Sequence, residues 1–332
     1  MNMIFERSDS AYNLFQYDPA TAADAVGLVV FVVLFAAHLG LAVRHRSVWT
    51  GGFVTAACVA ELIGFAARVA GTRDTENRAA YVVQEVCLAF APTLLTCGLY
   101  VLFPLEIAVW GVQYWPLPPQ ALATSLVVLN SIVVVTQSVG SGLAADAFAE
   151  GNFDAVHAGR SMMMIGLILQ TLHMVVFLVA SAVYFSRVRR GRVSGRALAR
   201  ARRSGGKRDN VVMRLTTLGT NEKTLETATL DAVGIETWLR GARGRAAPAA
   251  AAVAAAVTLV LVRNVYRIVS VALGWLSYAA VHEAMFLCLD SVLVASALTL
   301  VGVFYPGAAF AGVVVRQAQR AYAELAEDGE MR

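Results

Sequence analysis

The sequence predicts an all-α integral membrane protein, a seven-transmembrane helix bundle. Three observations carry that prediction. Only 15% of the 332 residues are charged and 58% are hydrophobic, whereas a soluble domain covers its surface with roughly 25% charged residues. Mean hydropathy is +0.62. The apolar residues also fall in long uninterrupted runs, and a run of about 20 crosses the hydrocarbon core as a helix at ~1.5 Å per residue.

In chain order the runs are Asp24–Val43, Gly51–Ala70, Tyr81–Phe103, Ala121–Leu143, Ser161–Phe185, Ala249–Leu273 and Tyr278–Phe304. Each is expected to be helical, because lipid offers no partner to a free backbone N–H or C=O. Strand-like alternation is absent, which argues against an outer-membrane barrel. The first run follows a polar segment, Glu6–Asp24, and is long enough to span, so it does not read as a cleavable signal peptide. In the fourth run Ser138, Gly140, Ser141 and Gly142 form a small face suited to close helix contact. Cys58, Cys87, Cys97 and Cys288 all lie inside spans without metal-ligand spacing, and read as packing residues. Trp49, Trp275 and Tyr278 sit at span ends as interface anchors.

Charge sets the expected orientation. Arg187–Arg245 holds 15 basic and 5 acidic residues, a net of +10, and the rest of the chain nets −6. The positive-inside rule places that loop in the cytosol, together with Arg44, His45 and Arg46. The acidic loop with Asp146, Glu150 and Asp154 then faces out. This gives an extracellular N-terminal segment (1–22), a membrane domain (23–310) interrupted by a basic cytosolic loop (186–247), and a cytosolic tail (311–332). Following a span directly, Arg187–Arg208 reads as a topology signal contacting anionic lipid headgroups, not as a nucleic-acid site. Within the loop, Leu225, Ala228, Ala232, Ile235 and Leu239 fall at helical spacing; a short surface helix and disorder both fit.

The informative residues are polar ones inside spans, since a charge at mid-bilayer costs about 3 kcal/mol even on the mild insertion scale. They are Glu61 and Arg68, Gln84, Asn130 and Gln137, Gln170 and His173, Arg263 and Arg267, and Glu283 and Asp290. Counting helical rise from the outer end puts Arg267 and Glu283 each ~9 Å deep, and Arg263 and Glu61 near ~15 Å. The expected ion pairs are Arg267–Glu283 and Glu61–Arg263. Asp290, at ~20 Å, is expected to lie near Asn130 and His173 with no cation at its level. Such a network either locks the bundle or meets the headgroup of an amphipathic substrate. A histidine-bound metal is disfavoured, because His38 and His282 fall at opposite faces. No cofactor is expected, and no G-x-x-x-x-G-K-[ST] loop for ATP is present.

At these residues the chain resembles the fungal lipid-translocating exporters, the seven-helix family typified by the 7-aminocholesterol resistance protein. Tyr17, Asp18, Pro19 and His38 open its pattern. Glu61, Gly64, Phe65 and Arg68 match E-x-x-G-[YF]-x-x-R, while Tyr81, Gln84, Ala91, Pro92 and Tyr100 match Y-x-x-Q, Ala-Pro and a closing Tyr. Gln137, Gly140 and Gly142, then Gly159, Gly166, Leu167 and Gln170, fit the next two spans. Arg263, Tyr266 and Arg267 match R-x-x-[FY]-R; His282, Glu283, Asp290 and Pro306–Gly307 fit the last. The resemblance spans all but Ser186–Pro248. It departs at Asn130 and Ser270, where the family has carboxylates, at Pro104–Leu105, where it has Gly-Arg, and in the length of the basic loop. It implies a non-enzymatic plasma-membrane protein whose partners are membrane lipids and an amphipathic small molecule. Its expected activity is moving or extruding sphingoid bases, phospholipids or lipid-like toxins. A lipid-responsive receptor or regulator of lipid asymmetry shares the layout.

Overall fold

The computed structural model describes residues 13–15, 17, 19–196, 232–274, 277, 278 and 282–309. The described elements are all helical. They are α1 (Thr21–His45), α2 (Val48–Arg73), α3 (Arg78–Tyr100), α4 (Phe103–Trp110), α5 (Pro119–Glu150), α6 (Phe153–Arg189) and α7 (Ala232–Leu273). A last helix, α8, runs Glu283–Phe286, makes one π turn at Leu287–Ser291, and continues over Val292–Val303. Seven of these are long and apolar enough to cross a membrane; the short α4 continues the third span.

The spans close into a ring. α1 packs on α2, α2 on α3, α3 on α5, α5 on α6, α6 on α7, α7 on α8, and α8 back on α1. Phe31, Phe65, Leu95, Tyr100, Phe177 and Leu298 fill its interior. The outer surface is apolar as well. Val26, Val29 and Val33 of α1 are each more than 60% exposed at helical spacing, a lining that suits hydrocarbon and not water.

Two local features follow from composition. On α5, a Cβ added at Gly140 would lie 2.5 Å from the Met163 backbone N, and one at Gly159 of α6 2.5 Å from that of Ala144. The predicted small face therefore brings two helix backbones into contact, centred on Gly140. The second feature is α7, which starts well before the predicted sixth span. Ala232, Ile235 and Leu239 belong to its first turns, so at these three positions the helical spacing of the basic loop is an extension of the span. Alanine-rich sequence around Ala246–Ala256 favours helix propagation, and the helix continues through the interior Pro248. Leu225 and Ala228 lie outside the described residues, as does Trp275. Trp49 and Tyr278 are exposed at helix ends, as anchors would be. Cys58 and Cys97 are buried and Cys87 partly so, but Cys288 is exposed on α8 and does not pack in the core.

Candidate functional site

The ionisable residues gather on one side of the ring, near the end where α1 begins. Arg68, 3% exposed on α2, directs its Nε to Asp24 Oδ1 of α1 at 2.5 Å. Its Nη2 donates to the Tyr17 hydroxyl at 2.5 Å and to Glu283 of α8 at 3.3 Å. The guanidinium also lies 4.5 Å from the Phe286 ring centroid, with Phe15 and Tyr17 at 5.7 and 5.9 Å, an aromatic cage for a cation. Burial pushes the Tyr17 phenol above its ordinary value, opposed by the Arg68 charge. Leu14, Phe15, Tyr17 and Ala20 lie at this end: Leu14 N donates to Thr75 O at 3.1 Å, and Ala20 N to Glu283 at 3.1 and 3.2 Å.

Deeper in, Arg263 of α7 is fully buried, with its Nε 2.6 Å from Asp290 Oδ1. Its Nη2 donates to the Leu88 carbonyl at 2.8 Å. That second bond has a covalent origin. Pro92, inside α3, has no N–H to return to the carbonyl four residues earlier, and in lipid an orphaned carbonyl needs another donor. Arg263 supplies it. One turn away, Arg267 reaches Glu85 Oε2 at 3.4 Å and Asp290 Oδ1 at 3.9 Å. Asp290 stands in the π turn of α8, a distortion common at functional positions.

Between these layers is a cavity of about 80 Å³, lined among others by Arg68, Gln84, Glu85, Tyr266, Arg267 and Ser270. It has room for several waters. Buried Gln84 presents an Oε1 with no hydrogen-bond partner among the described residues.

The remaining candidates form a separate, uncharged network on α3, α5 and α6. Asn130 Nδ2 donates to Thr93 O at 2.6 Å and to Thr96 Oγ1 at 3.1 Å. Its Oδ1 therefore accepts from His173 Nε2 at 2.7 Å. Gln137 Nε2 donates to Gln170 Oε1 at 2.8 Å. His38 meets Leu298 O across α1 and α8 at 3.0 Å, and exposed His282 stacks on Tyr278, so the three histidines occupy three separate surroundings.

Neither predicted ion pair forms. Glu283 meets Arg68 instead of Arg267, and Arg263 meets Asp290 instead of Glu61; buried Glu61 makes no ion pair among the described residues. Asp290 is also not cation-free, nor joined to Asn130 and His173. One cause explains all of this. With His282 as its N-cap, α8 starts at Glu283 and not at Tyr278, so every residue along it lies ~7.5 Å nearer the end of the ring where α1 begins. Glu283 rises to the level of Arg68, and Asp290 to that of Arg263 and Arg267. Sequence reasoning also passed over Asp24, Glu85 and Glu106. Asp24 and Glu85 share the depth of Arg68 and Arg267 when rise is counted from their own helix starts. Glu106 lies beyond the end of the predicted third run, but is buried on α4 at the opposite end from Arg68.

A protein-family profile described as RTA1 like protein matches residues 54–313. The sphingoid long-chain base transporter RSB1 of Saccharomyces cerevisiae is 23% identical over 291 residues, 86% of this chain and 71% of that protein. Protein RTM1 of the same organism is 28% identical over 123 residues, 37% of this chain and 38% of its own. Protoporphyrin uptake protein 1, also from Saccharomyces cerevisiae, is 22% identical over 218 residues, 55% of this chain and 70% of its own. No solved structure matches.

Proposed function

The chain belongs to the RTA1-like family, and from that premise we propose that it is a lipid-translocating exporter of the plasma membrane and not an enzyme. Its substrates are amphipathic lipids of the sphingoid-base or phospholipid class, or lipid-like toxic compounds. The N-terminus faces out and the basic segment after α6 faces the cytosol, as the charge asymmetry favours. The supporting observation is the cavity whose polar wall, Gln84, Glu85, Arg267 and Ser270, adjoins the buried Arg263–Asp290 pair.

The chemistry of that wall suits exchange. Arg267 stands between two carboxylates, at 3.4 and 3.9 Å, so it can give up Glu85 to a substrate ammonium while keeping Asp290. The added ammonium brings Arg263, Arg267, Asp290 and Glu85 to a net +1, and ionisation of the buried Glu61 would offset that charge, whose exposure to a low-dielectric site is otherwise the large cost. Glu61 and Asp290 are the groups through which a proton gradient would act.

The test is transbilayer movement of a fluorescent long-chain base and a fluorescent phospholipid in vesicles holding the purified protein. Wild type is expected to accelerate movement, and Glu85→Gln and Asp290→Asn to lose it while still eluting as folded protein. The cavity's small volume, enough for a headgroup fragment and no acyl chain, favours a lipid-sensing regulator as the second reading. Lipid binding with no movement above empty vesicles, across several headgroups, would decide for that reading.

A further inference from the structure

At the other end of the ring, α6 finishes in a shape that the transport reading does not use. Gly191 adopts φ +62°, its N–H donates to Val188 O at 3.2 Å, and Arg192 N donates to Arg187 O at 3.0 Å. This is the glycine C-cap that closes a helix and turns the chain back. Two residues later Ser194 N donates to Gln113 O at 2.9 Å, fastening the turn to the connection between α4 and α5. The arginines on this turn are thus carried by fixed backbone.

Beside the turn is a groove of about 1030 Å³, bordered by Pro116, Val183 and the side chains of Arg187, Arg190, Arg192 and Arg196. None of the four arginines is paired with a carboxylate among the described residues. The groove opens onto the outer surface of α6. There Leu172, Val176, Val179 and Val183 are each more than 40% exposed, spaced as one stripe along the helix. From Leu172 to Val183 the helix rises ~16 Å, about half of the ~30 Å hydrocarbon core. An arginine-lined head region therefore continues into an apolar strip one leaflet deep.

We infer that this groove binds an anionic phospholipid of the leaflet on its own side. Arg190, Arg192 and Arg196 take the phosphate, and an acyl chain lies along Leu172–Val183. Guanidinium groups bind phosphate oxygens through paired N–H donors. The attached stripe selects a lipid over a soluble phosphate.

The experiment is native mass spectrometry of the full-length, delipidated protein with added phosphatidylinositol or phosphatidylcholine. Phosphatidylinositol is expected to bind more tightly. Arg190→Gln/Arg192→Gln should weaken it about 25-fold and Arg196→Gln about fivefold, at about fivefold per basic residue near the membrane surface. Arg44→Gln/Arg46→Gln, at the same end on the α1–α2 turn, should leave it unchanged. Glycerophosphoinositol, the headgroup without chains, should not compete. Equal binding of phosphatidylcholine, or equal loss in the Arg44/Arg46 variant, would overturn the site as diffuse charge. Competition by glycerophosphoinositol at the lipid's own concentration would overturn the lipid assignment in favour of a free anion. The substituted arginines are at the surface, and an unchanged melting temperature in detergent separates lost binding from lost folding.

Discussion

Between α1, α2, α7 and α8 most of the buried ions are held in pairs, Asp24–Arg68–Glu283 and Arg263–Asp290–Arg267. Between α3, α5 and α6 they are amides and an imidazole in a neutral chain, Gln170–Gln137 and Thr93–Asn130–His173. Both regions are almost wholly withdrawn from solvent, yet they carry different risks. Desolvating an ion costs several kcal/mol, so each pair stands only while both partners remain. An interhelical hydrogen bond in a membrane averages about 0.6 kcal/mol and reaches about 1.7, because the separated helices find other partners. The neutral side can thus lose one contact and keep its shape. The charged side cannot lose a partner, but it can exchange one, since Arg267 already faces two carboxylates. That contrast assigns scaffolding to the neutral side and partner exchange to the charged side.

The contrast is broken most directly at Arg263. Arg263→Met leaves Asp290 with only the 3.9 Å approach of Arg267 and returns the Leu88 carbonyl to its orphaned state. The expected loss is about 3–5 kcal/mol, read as a fall in melting temperature in detergent. Arg263→Met/Asp290→Leu should recover most of it, since an apolar pair replaces a buried ion pair at little cost. Next in size is Arg68→Gln, which strands Asp24 and Glu283 together and removes the cation from the Phe15–Tyr17–Phe286 cage. About 3 kcal/mol is expected. Faster amide hydrogen exchange at Leu14 and Ala20 should accompany it, because the backbone N–H groups of both are bonded beside this cluster. An unchanged exchange rate there would separate the segment from the ion cluster.

Much of this was legible in the sequence. Seven spans follow from run length, and all eleven polar candidates from Glu61 to Asp290 lie in the bundle, ten of them deeply buried. Glu283, at the helix start, is the more exposed one. The Gly140 contact was visible as a small face. Partnership was not legible, because depth accumulates from a helix start that hydropathy does not mark. Tyr278–His282 continues the apolar run, but α8 starts only at Glu283, after the His282 cap, and a five-residue shift re-pairs every ion on α8. Asp24 was missed because it stood at the edge of its run, and Glu85 because it adjoins Gln84 on a helix read for its amide. The tie between Pro92 and Arg263 was beyond reach for another reason: both residues were noticed, but only geometry brings a freed carbonyl to a distant guanidinium.

On the neutral side, backbone contact should matter more than any single hydrogen bond. Gly140→Ala drives a methyl toward the Met163 N and, at 2.8 Å, the Gly159 carbonyl. Backbone atoms cannot swing aside, so α5 and α6 must separate, at about 1–3 kcal/mol. Asn130→Ala should cost less, about 1 kcal/mol, since it removes two donations and one acceptor without moving a helix. Asn130→Asp sharpens the comparison further. It keeps the oxygen that accepts from His173 but turns Nδ2, 2.6 Å from Thr93 O, into a second oxygen facing a carbonyl. A near-isosteric carboxylate should therefore be less stable than the alanine, although it offers His173 a stronger acceptor. Melting temperatures of the two variants in the same detergent decide the matter. If Asn130→Asp is the more stable, His173 holds the introduced carboxylate as an ion partner, the role that arginine plays across the ring.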